Sequence, residues 1–178
     1  MSAKDRDIQR LKEYINKLGL KLYTRPYSRD TGAAEYVEGQ FITIFESRNT
    51  KTDLILSLLH ELGHHLDWLA NKPTPEENKA IELLNTGAMV GDRSDIPKES
   101  RRIILQIEKN GVKYMSKIHR DLKLEIPFWK VKMQQDLDLI DYRHLYHTGR
   151  FANKAEHQEM QKGEAYYKKK YGRKKRRV

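Results

Sequence analysis

A short segment of the chain combines metal-binding side chains with the repeat of an amphipathic helix. Residues 57–66 read Ser-Leu-Leu-His-Glu-Leu-Gly-His-His-Leu, so that His60 and His64 lie four positions apart. On a helix this spacing brings two side chains to one face, about 40° apart around the axis and about 6 Å apart along it. Two imidazole nitrogens at that separation converge on one metal ion. The segment therefore predicts a helix that carries a metal site.

The residue after the first histidine adds a chemical function to this pattern. Glu61 projects toward the open side of a metal held by His60 and His64, which completes an H-E-x-x-H motif. In zinc enzymes, the glutamate of this motif accepts a proton from water that the metal has acidified. We therefore predict a zinc-dependent metalloendopeptidase with one zinc ion per chain and with Glu61 as its general base.

The remaining residues of this helix divide into a packing face and a polar face. Opposite the two histidines, an apolar stripe covers an arc of about 80° and contains Ile55, Leu58, Leu62, Leu66 and Leu69. His65 lies at the edge of that stripe, which favours a structural histidine over a ligand. Asp67 lies one turn after His64, where it either orients the imidazole through a hydrogen bond or stays solvated.

A catalytic zinc ion usually needs a third protein ligand, and the composition narrows its chemical type. The chain has no cysteine, which excludes thiolate ligands and disulfides. The extended motif with a third histidine is excluded too, because Asp67 and Ala70 occupy the positions that would need glycine and histidine. A carboxylate from a later helix remains, and the candidates are Glu76, Glu77, Glu82, Glu99 and Glu108.

The helix predicted over residues 98–122 separates two of these candidates by face. Glu108 falls near the middle of the apolar stripe of that helix, whereas Glu99 falls on its polar side. A carboxylate within an apolar stripe is costly to bury unless it is paired or binds a metal. Glu108 is therefore the predicted third ligand, and the alternative is a buried salt bridge to Arg101 or Arg102.

A polar aromatic cluster near residue 145 offers candidates for a further catalytic role. It contains Tyr142, His144, Tyr146 and His147. One of these side chains is a candidate donor to the oxyanion of a tetrahedral intermediate, provided that the fold brings it to the cleft.

Hydrophobic periodicity predicts short strands near the N-terminus and helices after them. Helices are expected over residues 5–18, 52–70, 76–85, 98–122, 128–140 and 154–168, and strands over 20–27, 34–38 and 41–45. Gly39-Gln40 separates the last two strands, which is typical of a hairpin. Thr52 or Asp53 is the expected N-cap of the motif helix.

Two motifs in this order make the chain resemble the ImmA/IrrE-type metallopeptidases, which are common in bacteriophages and mobile elements. The first is His60-Glu61-Leu62-Gly63-His64, and the second, Glu108-Lys109-Asn110-Gly111-Val112-Lys113-Tyr114-Met115, approximates the family's Glu-x-x-Ala-x-x-Phe-Ala. The gap between the motifs is long for the family, and the usual helix-turn-helix module is absent from this sequence.

The resemblance implies an α+β, zincin-like fold of the gluzincin type. A small antiparallel or mixed sheet near the N-terminus would pack on the motif helix, and the C-terminal half would be helical. The expected substrates are proteins or peptides, in the family often regulatory repressors. No apolar run approaches the ~20 residues of a membrane span, and residues 1–7 lack the apolar core of a signal peptide. We therefore expect no membrane partner and a cytoplasmic location, that of the bacterial host if the protein is phage-encoded.

The net charge of +10 is concentrated at the C-terminus. Residues 168–178 contain eight basic residues and no acidic one. We predict a metallopeptidase domain over residues 1–167 and a disordered basic tail over 168–178. The tail either contacts nucleic acid, through phosphates and the neighbouring tyrosines, or remains solvated; these tyrosines are Tyr166, Tyr167 and Tyr171.

A non-catalytic module is the alternative to an enzyme. In that case a zinc-stabilised domain would bind nucleic acid or a host protein through its basic tail. Glu61 argues against this alternative, because a purely structural zinc site has no use for a base.

Overall fold

The chain folds into a mixed α+β architecture that is mostly helical, as the periodicity predicts. The computed structural model describes residues 1–26, 34–37, 39–46, 50–86 and 93–172. Its elements are α1 (Ala3–Lys17), β1 (Lys21–Pro26), β2 (Ala34–Val37), β3 (Phe41–Glu46), α2 (Lys51–Ala70), α3 (Pro75–Asn85), α4 (Lys98–Asp121), α5 (Phe128–Thr148), α6 (Lys154–Met160) and α7 (Glu164–Tyr171). None of the described helices combines the length and the apolar character that a bilayer span requires.

The three strands form one small mixed sheet in the order β1-β3-β2. β1 runs parallel to β3, and β2 runs antiparallel to it. The predicted hairpin between β2 and β3 is confirmed, since the N–H of Gln40 donates to the carbonyl of Val37 at 3.0 Å. Gly39 adopts a φ of 66° in this turn, a conformation that glycine tolerates best. The sheet was expected to be antiparallel or mixed, and it is mixed.

The motif helix α2 lies at the centre of the fold, in contact with α1, α4, β2 and β3. Its apolar stripe faces the main core, where Ile55, Leu58 and Leu62 are fully buried. The prediction that Leu69 belongs to the same stripe is wrong, because the side chain is 49% exposed in the last turn of α2. The core thus holds the first four turns of α2 and leaves its end at the surface.

The N-cap of α2 is Thr50 rather than the predicted Thr52 or Asp53. The hydroxyl of Thr50 accepts from the N–H of Asp53, and the Asp53 carboxylate accepts from the N–H of Thr50. This reciprocal capping box satisfies two backbone donors that the first turn of a helix leaves free. Asp53 therefore contributes to the cap as its third residue.

The C-terminal half is helical, but the helices have different bounds from those predicted. α5 continues to Thr148 instead of residue 140, and Gly149 ends it with a φ of 81°. The helix expected over residues 154–168 is two helices, since α6 ends at Met160 and α7 begins at Glu164 after the N-cap Gly163. The domain boundary predicted after residue 167 falls within α7, and residues 173–178 of the predicted tail lie outside the described residues.

Candidate metal centre

Three potential ligands from two helices meet at one point of the structure. His60 and His64 come from α2 and Glu108 comes from the middle of α4, which packs along α2. One nitrogen or oxygen of each side chain belongs to a single group in which all atoms lie within 4.8 Å of one another. The structure therefore brings together the three residues that the sequence singled out as metal ligands.

The distances between these atoms match what a zinc ion requires. The Nε2 atoms of His60 and His64 are 3.2 Å apart, and Oε2 of Glu108 lies 3.4 Å from the His64 nitrogen and 3.8 Å from the His60 nitrogen. The point equidistant from the three atoms is about 2.0 Å from each, which is the usual length of zinc–nitrogen and zinc–oxygen bonds. Within the described residues, Oε2 of Glu108 is buried without a hydrogen-bond partner, as expected for an atom that has a metal to bind. The donor set thus fits zinc.

A residue that the sequence analysis missed orients the first histidine. Oδ2 of Asp138 on α5 lies 3.0 Å from Nδ1 of His60, while Oδ1 accepts from the side-chain amide of Gln134. A carboxylate only accepts, so Nδ1 of His60 carries a hydrogen, and Nε2 is the ring nitrogen that remains to bind a metal. Such a pairing fixes the tautomer and increases the basicity of a histidine ligand.

α5 contributes a second residue to the same place. Tyr142 lies four positions after Asp138 and on the same helix face, and its phenol is close enough to the carboxylate of Glu108 for the two groups to shift each other's pKa. Burial and the negative charge of Glu108 raise the pKa of the Tyr142 phenol well above its usual value, so the hydroxyl stays protonated. Tyr142 therefore places a neutral hydroxyl beside Glu108. Of the polar aromatic cluster predicted near residue 145, only Tyr142 is among the described residues that line the cleft.

The electrostatic field of the centre favours a positive charge. Burial alone would lower the pKa of His60, but the hydrogen bond to Asp138 and the charges of three carboxylates raise the pKa to about 10. The pKa of His64 is also raised despite its burial, because Glu108 lies beside it. Burial acts to raise the pKa of Glu108 as well, yet His64 and His60 outweigh it and lower that pKa. A group that attracts protons this strongly also attracts a divalent cation.

Glu61 lies in a different environment from Glu108, and its pKa is shifted in the opposite direction. Its pKa is raised, first by burial, although the neighbouring histidines oppose the shift. Glu61 lines the cleft next to the three potential ligands and does not belong to the ligand group. A carboxylate with a raised pKa, close to a metal but free of it, is suited to accept and return a proton near neutral pH.

Two glycines let α2 and α4 approach closely enough to assemble the centre. A Cβ atom on Gly63 would lie 2.2 Å from the backbone oxygen of Gly111, and one on Gly111 would lie 2.6 Å from the imidazole of His64. Both distances are shorter than any real contact of a methyl group, so neither position accepts alanine without movement. The resemblance to the ImmA/IrrE-type motif leads one to expect alanine at position 111. The ring of His64 explains the glycine, because it leaves no room for a methyl group there.

The centre opens into a cleft of about 710 Å³ between α2, α3, α4 and β2. One wall is apolar, where Ile81 and Leu84 of α3 face Ile104 and Ile107 of α4. Val37, Trp68 and Pro73 also line the cleft. The polar part of the lining includes Asp67 and Glu77 together with the following amide side chains: Gln40, Asn71, Asn78, Asn85 and Asn110. Of the described residues that line the cleft, none is lysine or arginine.

His65 is a structural histidine, as the helical wheel predicts. It is 2% exposed, its Nδ1 lies 3.0 Å from the hydroxyl of Tyr36, and its ring stacks on Trp68. The hydroxyl of Tyr36 also accepts from the N–H of Gly39 at 2.8 Å. These contacts attach the β2–β3 hairpin to α2, so that β2 lies along the cleft.

Several other candidate residues lie away from the centre. Glu99 is on the exposed face of α4, where it pairs with Arg102. The salt bridge considered for Glu108 with Arg101 or Arg102 is not formed, since Arg101 donates to the carbonyl of Leu145. Asp67 accepts from the side chain of Asn71 and does not orient His64, so the acidic partner of the centre is Asp138, paired with His60.

Comparisons with known proteins found no match: no protein-family profile, curated protein or solved structure is similar to this chain. The functional argument therefore rests on the residues of the centre and their geometry.

Proposed function

We propose that this protein is a zinc metallopeptidase with one zinc ion per chain, held by His60, His64 and Glu108. The observation that carries the proposal is the convergence of these three donors on a point at zinc-bond distance, with Glu61 beside them. A structural zinc site is normally closed by four protein ligands, whereas a catalytic site has three and an open position. The described residues supply three donors next to an open cleft, which favours catalysis.

Zinc bound at this centre would act as a Lewis acid that polarises a peptide carbonyl and acidifies water. Glu61 takes the proton from the attacking water and later gives it to the amine of the breaking peptide bond. Its raised pKa suits both transfers. Asp138 fixes the orientation of His60, and Tyr142 of the same helix lies beside Glu108, so α5 supports donors on both α2 and α4.

The lining of the cleft supports a peptide as the substrate. The apolar wall of α3 and α4 suits an apolar side chain, and the amide side chains suit hydrogen bonds to a peptide backbone. A polyanion such as nucleic acid would meet carboxylates and, within the described lining, no lysine or arginine. We infer that the substrate is a protein or peptide that is neutral or basic where it enters the cleft.

The zincin-like fold and the kinship with ImmA/IrrE-type peptidases belong to the same proposal. The supporting features are the order of a small mixed sheet, the motif helix α2 and the glutamate helix α4, together with the site residues. The expected source in a phage or mobile element, and the expected cytoplasmic location, follow only from that kinship.

The test begins with metal content, which does not depend on knowing the substrate. Purified protein supplied with zinc should retain about one ion per chain, and His60→Ala should lose it. His147→Ala is the matched control, because His147 is exposed at the end of α5. Wild-type protein that retains no stoichiometric zinc would end the proposal.

The second step separates an enzyme from a zinc-stabilised binding module. Glu61→Gln should keep zinc and lose ~10²–10⁴-fold in turnover of a fluorogenic peptide library. Zinc binding with no turnover in wild type, or with equal turnover in wild type and Glu61→Gln, would favour the non-catalytic alternative.

A further inference from the structure

α7 and the start of α5 form a surface in which lysines and aromatic rings alternate. We call it the basic aromatic face and define it by Phe128, Trp129, Lys130, Lys132, Lys162, Tyr166, Lys168, Lys170 and Tyr171. None of these residues is among the described residues that line the cleft. The face is therefore separate from the candidate metal centre.

Three rings of the face, those of Trp129, Tyr166 and Tyr171, each lie within about 6 Å of two ammonium groups. Lys168 and Lys130 lie 4.8 and 5.5 Å from the ring of Trp129. Lys162 and Lys170 lie 4.7 and 5.5 Å from the ring of Tyr166. A contact of one cation with one ring stabilises by about 0.5–1 kcal/mol at an exposed site. Two cations at one ring also repel each other, so the attraction to the ring alone does not explain their accumulation.

The face is held in a fixed position by a tyrosine beneath it. Tyr167 is 2% exposed and donates its hydroxyl to Asp136 of α5 at 2.8 Å. The ring of Tyr171 meets that of Phe128 at 6.4 Å. α7 therefore packs on α5 with its lysines outward, and of the tyrosines expected to contact nucleic acid, Tyr167 is the anchor. Tyr166 is 38% exposed, so part of its ring is accessible to a ligand.

Most positive charges of the face lack a carboxylate partner. Lys168 pairs with Glu164 at 2.6 Å, but within the described residues Lys130, Lys132, Lys162 and Lys170 form no ion pair. Burial and then the nearby charge of Arg120 lower the pKa of Lys132, although Asp136 partly opposes the shift. In the sequence, five of the six residues from Arg173 to Val178 are also basic. A partner that brings negative charges would relieve this repulsion.

We propose that the basic aromatic face binds single-stranded nucleic acid, with lysines on the phosphates and Trp129 and Tyr166 stacked against bases. Alternating cations and aromatic rings are what a single strand requires, because it offers a phosphate and an unpaired base at each step. A duplex conceals its bases, and an anionic membrane or acidic protein offers charge without flat rings. This function is independent of the peptidase activity and adds a second binding site to the molecule.

The first experiment measures the anisotropy of a labelled single-stranded oligonucleotide over a salt series. The double variant Lys130→Gln/Lys162→Gln should weaken binding and reduce the slope of log K against log salt by about 0.7 for each phosphate that the variant no longer neutralises. The double variant Lys12→Gln/Lys17→Gln is the control, since it removes the same charge from exposed positions of α1. An equal effect of both double variants, or no binding at low salt, would overturn the proposal.

The second experiment tests stacking rather than charge. Tyr166→Ala should weaken binding about 5-fold or more, which corresponds to at least 1 kcal/mol per stacked base, and Tyr166→Phe should restore it. An abasic strand of equal length should bind wild type even more weakly than the normal strand binds Tyr166→Ala, because it offers no base to Trp129 either. Equal affinity for the abasic and normal strands would show that the face recognises only negative charge.

A third measurement uses the small number of tryptophans. The chain has two, so Trp68→Phe leaves Trp129 as the only source of indole fluorescence. A single strand should quench that fluorescence on binding, and the abasic strand should not. Duplex DNA, anionic vesicles and a polyglutamate peptide complete the comparison. Tighter binding to any of these three than to the single strand would contradict the proposal.

Discussion

The candidate metal centre and the basic aromatic face carry opposite charges within one small fold. Around His60 and His64 the structure gathers three carboxylates, and the described lining of the cleft contains no lysine or arginine. On the α5–α7 surface, four of the five lysines have no carboxylate partner among the described residues. One site therefore attracts a cation and the other attracts an anion. The net charge of +10 describes neither of them.

This difference shows how a partner should be inferred from charge. The total charge would suggest a protein that binds nucleic acid over its whole surface. From the local arrangement we instead propose a metal ion and a peptide for the cleft and a polyanion for the basic aromatic face. Variants in each region test whether the two are as distinct as their charges indicate.

The largest expected effect is the loss of the third ligand. Glu108→Ala should weaken zinc binding by more than the 10–100-fold typical of residues that only support a ligand, because it removes a donor from the ion itself. Glu99→Ala should leave the affinity nearly unchanged, since Glu99 pairs with Arg102 at the surface. A competitive chelator titration measures both variants. The reverse ranking would remove Glu108 from the centre.

The second effect is a dependence of zinc affinity on pH. The pKa of about 10 means that the ring of His60 carries an extra proton at pH 7 when no metal is bound, and zinc must displace this proton. The raised pKa of His64 acts in the same direction. Affinity should therefore rise with pH, by up to about tenfold per pH unit for each displaced proton. Calorimetry in buffers of different ionisation enthalpy counts the protons released. Zinc binding at pH 7 without proton release would contradict the raised pKa values.

The same shift has a consequence for the stability of the zinc-free protein. The pKa of His60 is about 10 in the fold against an ordinary value of 6.5. Its contribution to stability is complete below pH 6.5 and is lost as pH rises through about 10. Zinc-free protein should thus lose stability over the interval in which its zinc affinity rises. Denaturant unfolding at several pH values measures this part of the prediction.

The third effect concerns the residue that supports His60. Asp138→Asn keeps the shape of the side chain but removes its charge, so zinc affinity should fall about 10–100-fold. Fewer protons should also be released on binding, because Asp138 is the main cause that raises the pKa of His60. Asp141→Asn on the same helix is the control, as Asp141 lies nearest His157 and outside the ligand group. Equal losses in both variants would point to a general effect of charge on α5.

The fourth effect tests the close approach of α2 and α4. Gly63→Ala should destabilise the fold by about 1–3 kcal/mol, since its methyl group would meet backbone that cannot turn aside. Gly111→Ala should cost less stability but weaken zinc binding, because the ring of His64 would have to move. Gly163→Ala is the control, with open space around its Cβ position. Normal zinc affinity in Gly111→Ala would show that the ring does not depend on this contact.

Part of the candidate metal centre could be predicted from the sequence. His60, His64 and Glu108 were accessible because each depends on the periodicity of its own helix: the spacing of two histidines, and a carboxylate within an apolar stripe. The small sheet and its hairpin were accessible for the same local reason. Whether the three residues bind zinc stays a prediction, and so does the role of Glu61.

The features that the sequence analysis missed depend on how the helices pack on one another. Asp138 comes from α5, and no pattern within that helix shows that it faces His60 on α2. Asp67 was the expected partner because it is near in sequence, yet it bonds Asn71 within its own helix. The division of the C-terminal segment into α6 and α7 was missed because Gly163, the N-cap of α7, was included in one continuous helix. The packing of Tyr167 and Tyr171 on α5 was likewise hidden in a run of lysines.

The smallest expected effect comes from shortening the C-terminus, and it separates the two regions most directly. A chain that ends after Gly172 retains all of α7, so its melting temperature and zinc affinity should match those of the full chain. A chain that ends after Tyr167 no longer places Lys168 against Trp129 or Tyr171 against Phe128. Each such pair contributes about 0.5–1.5 kcal/mol, so the melting temperature of this shorter chain should fall by a few degrees.

Peptide hydrolysis should survive both truncations. The affinity for single strands should fall in two steps, first with the basic residues after Gly172 and then with the lysines of α7. A loss of hydrolysis in the chain that ends after Gly172 would mean that the cleft depends on the basic C-terminus. The two regions could then no longer be treated as separate sites.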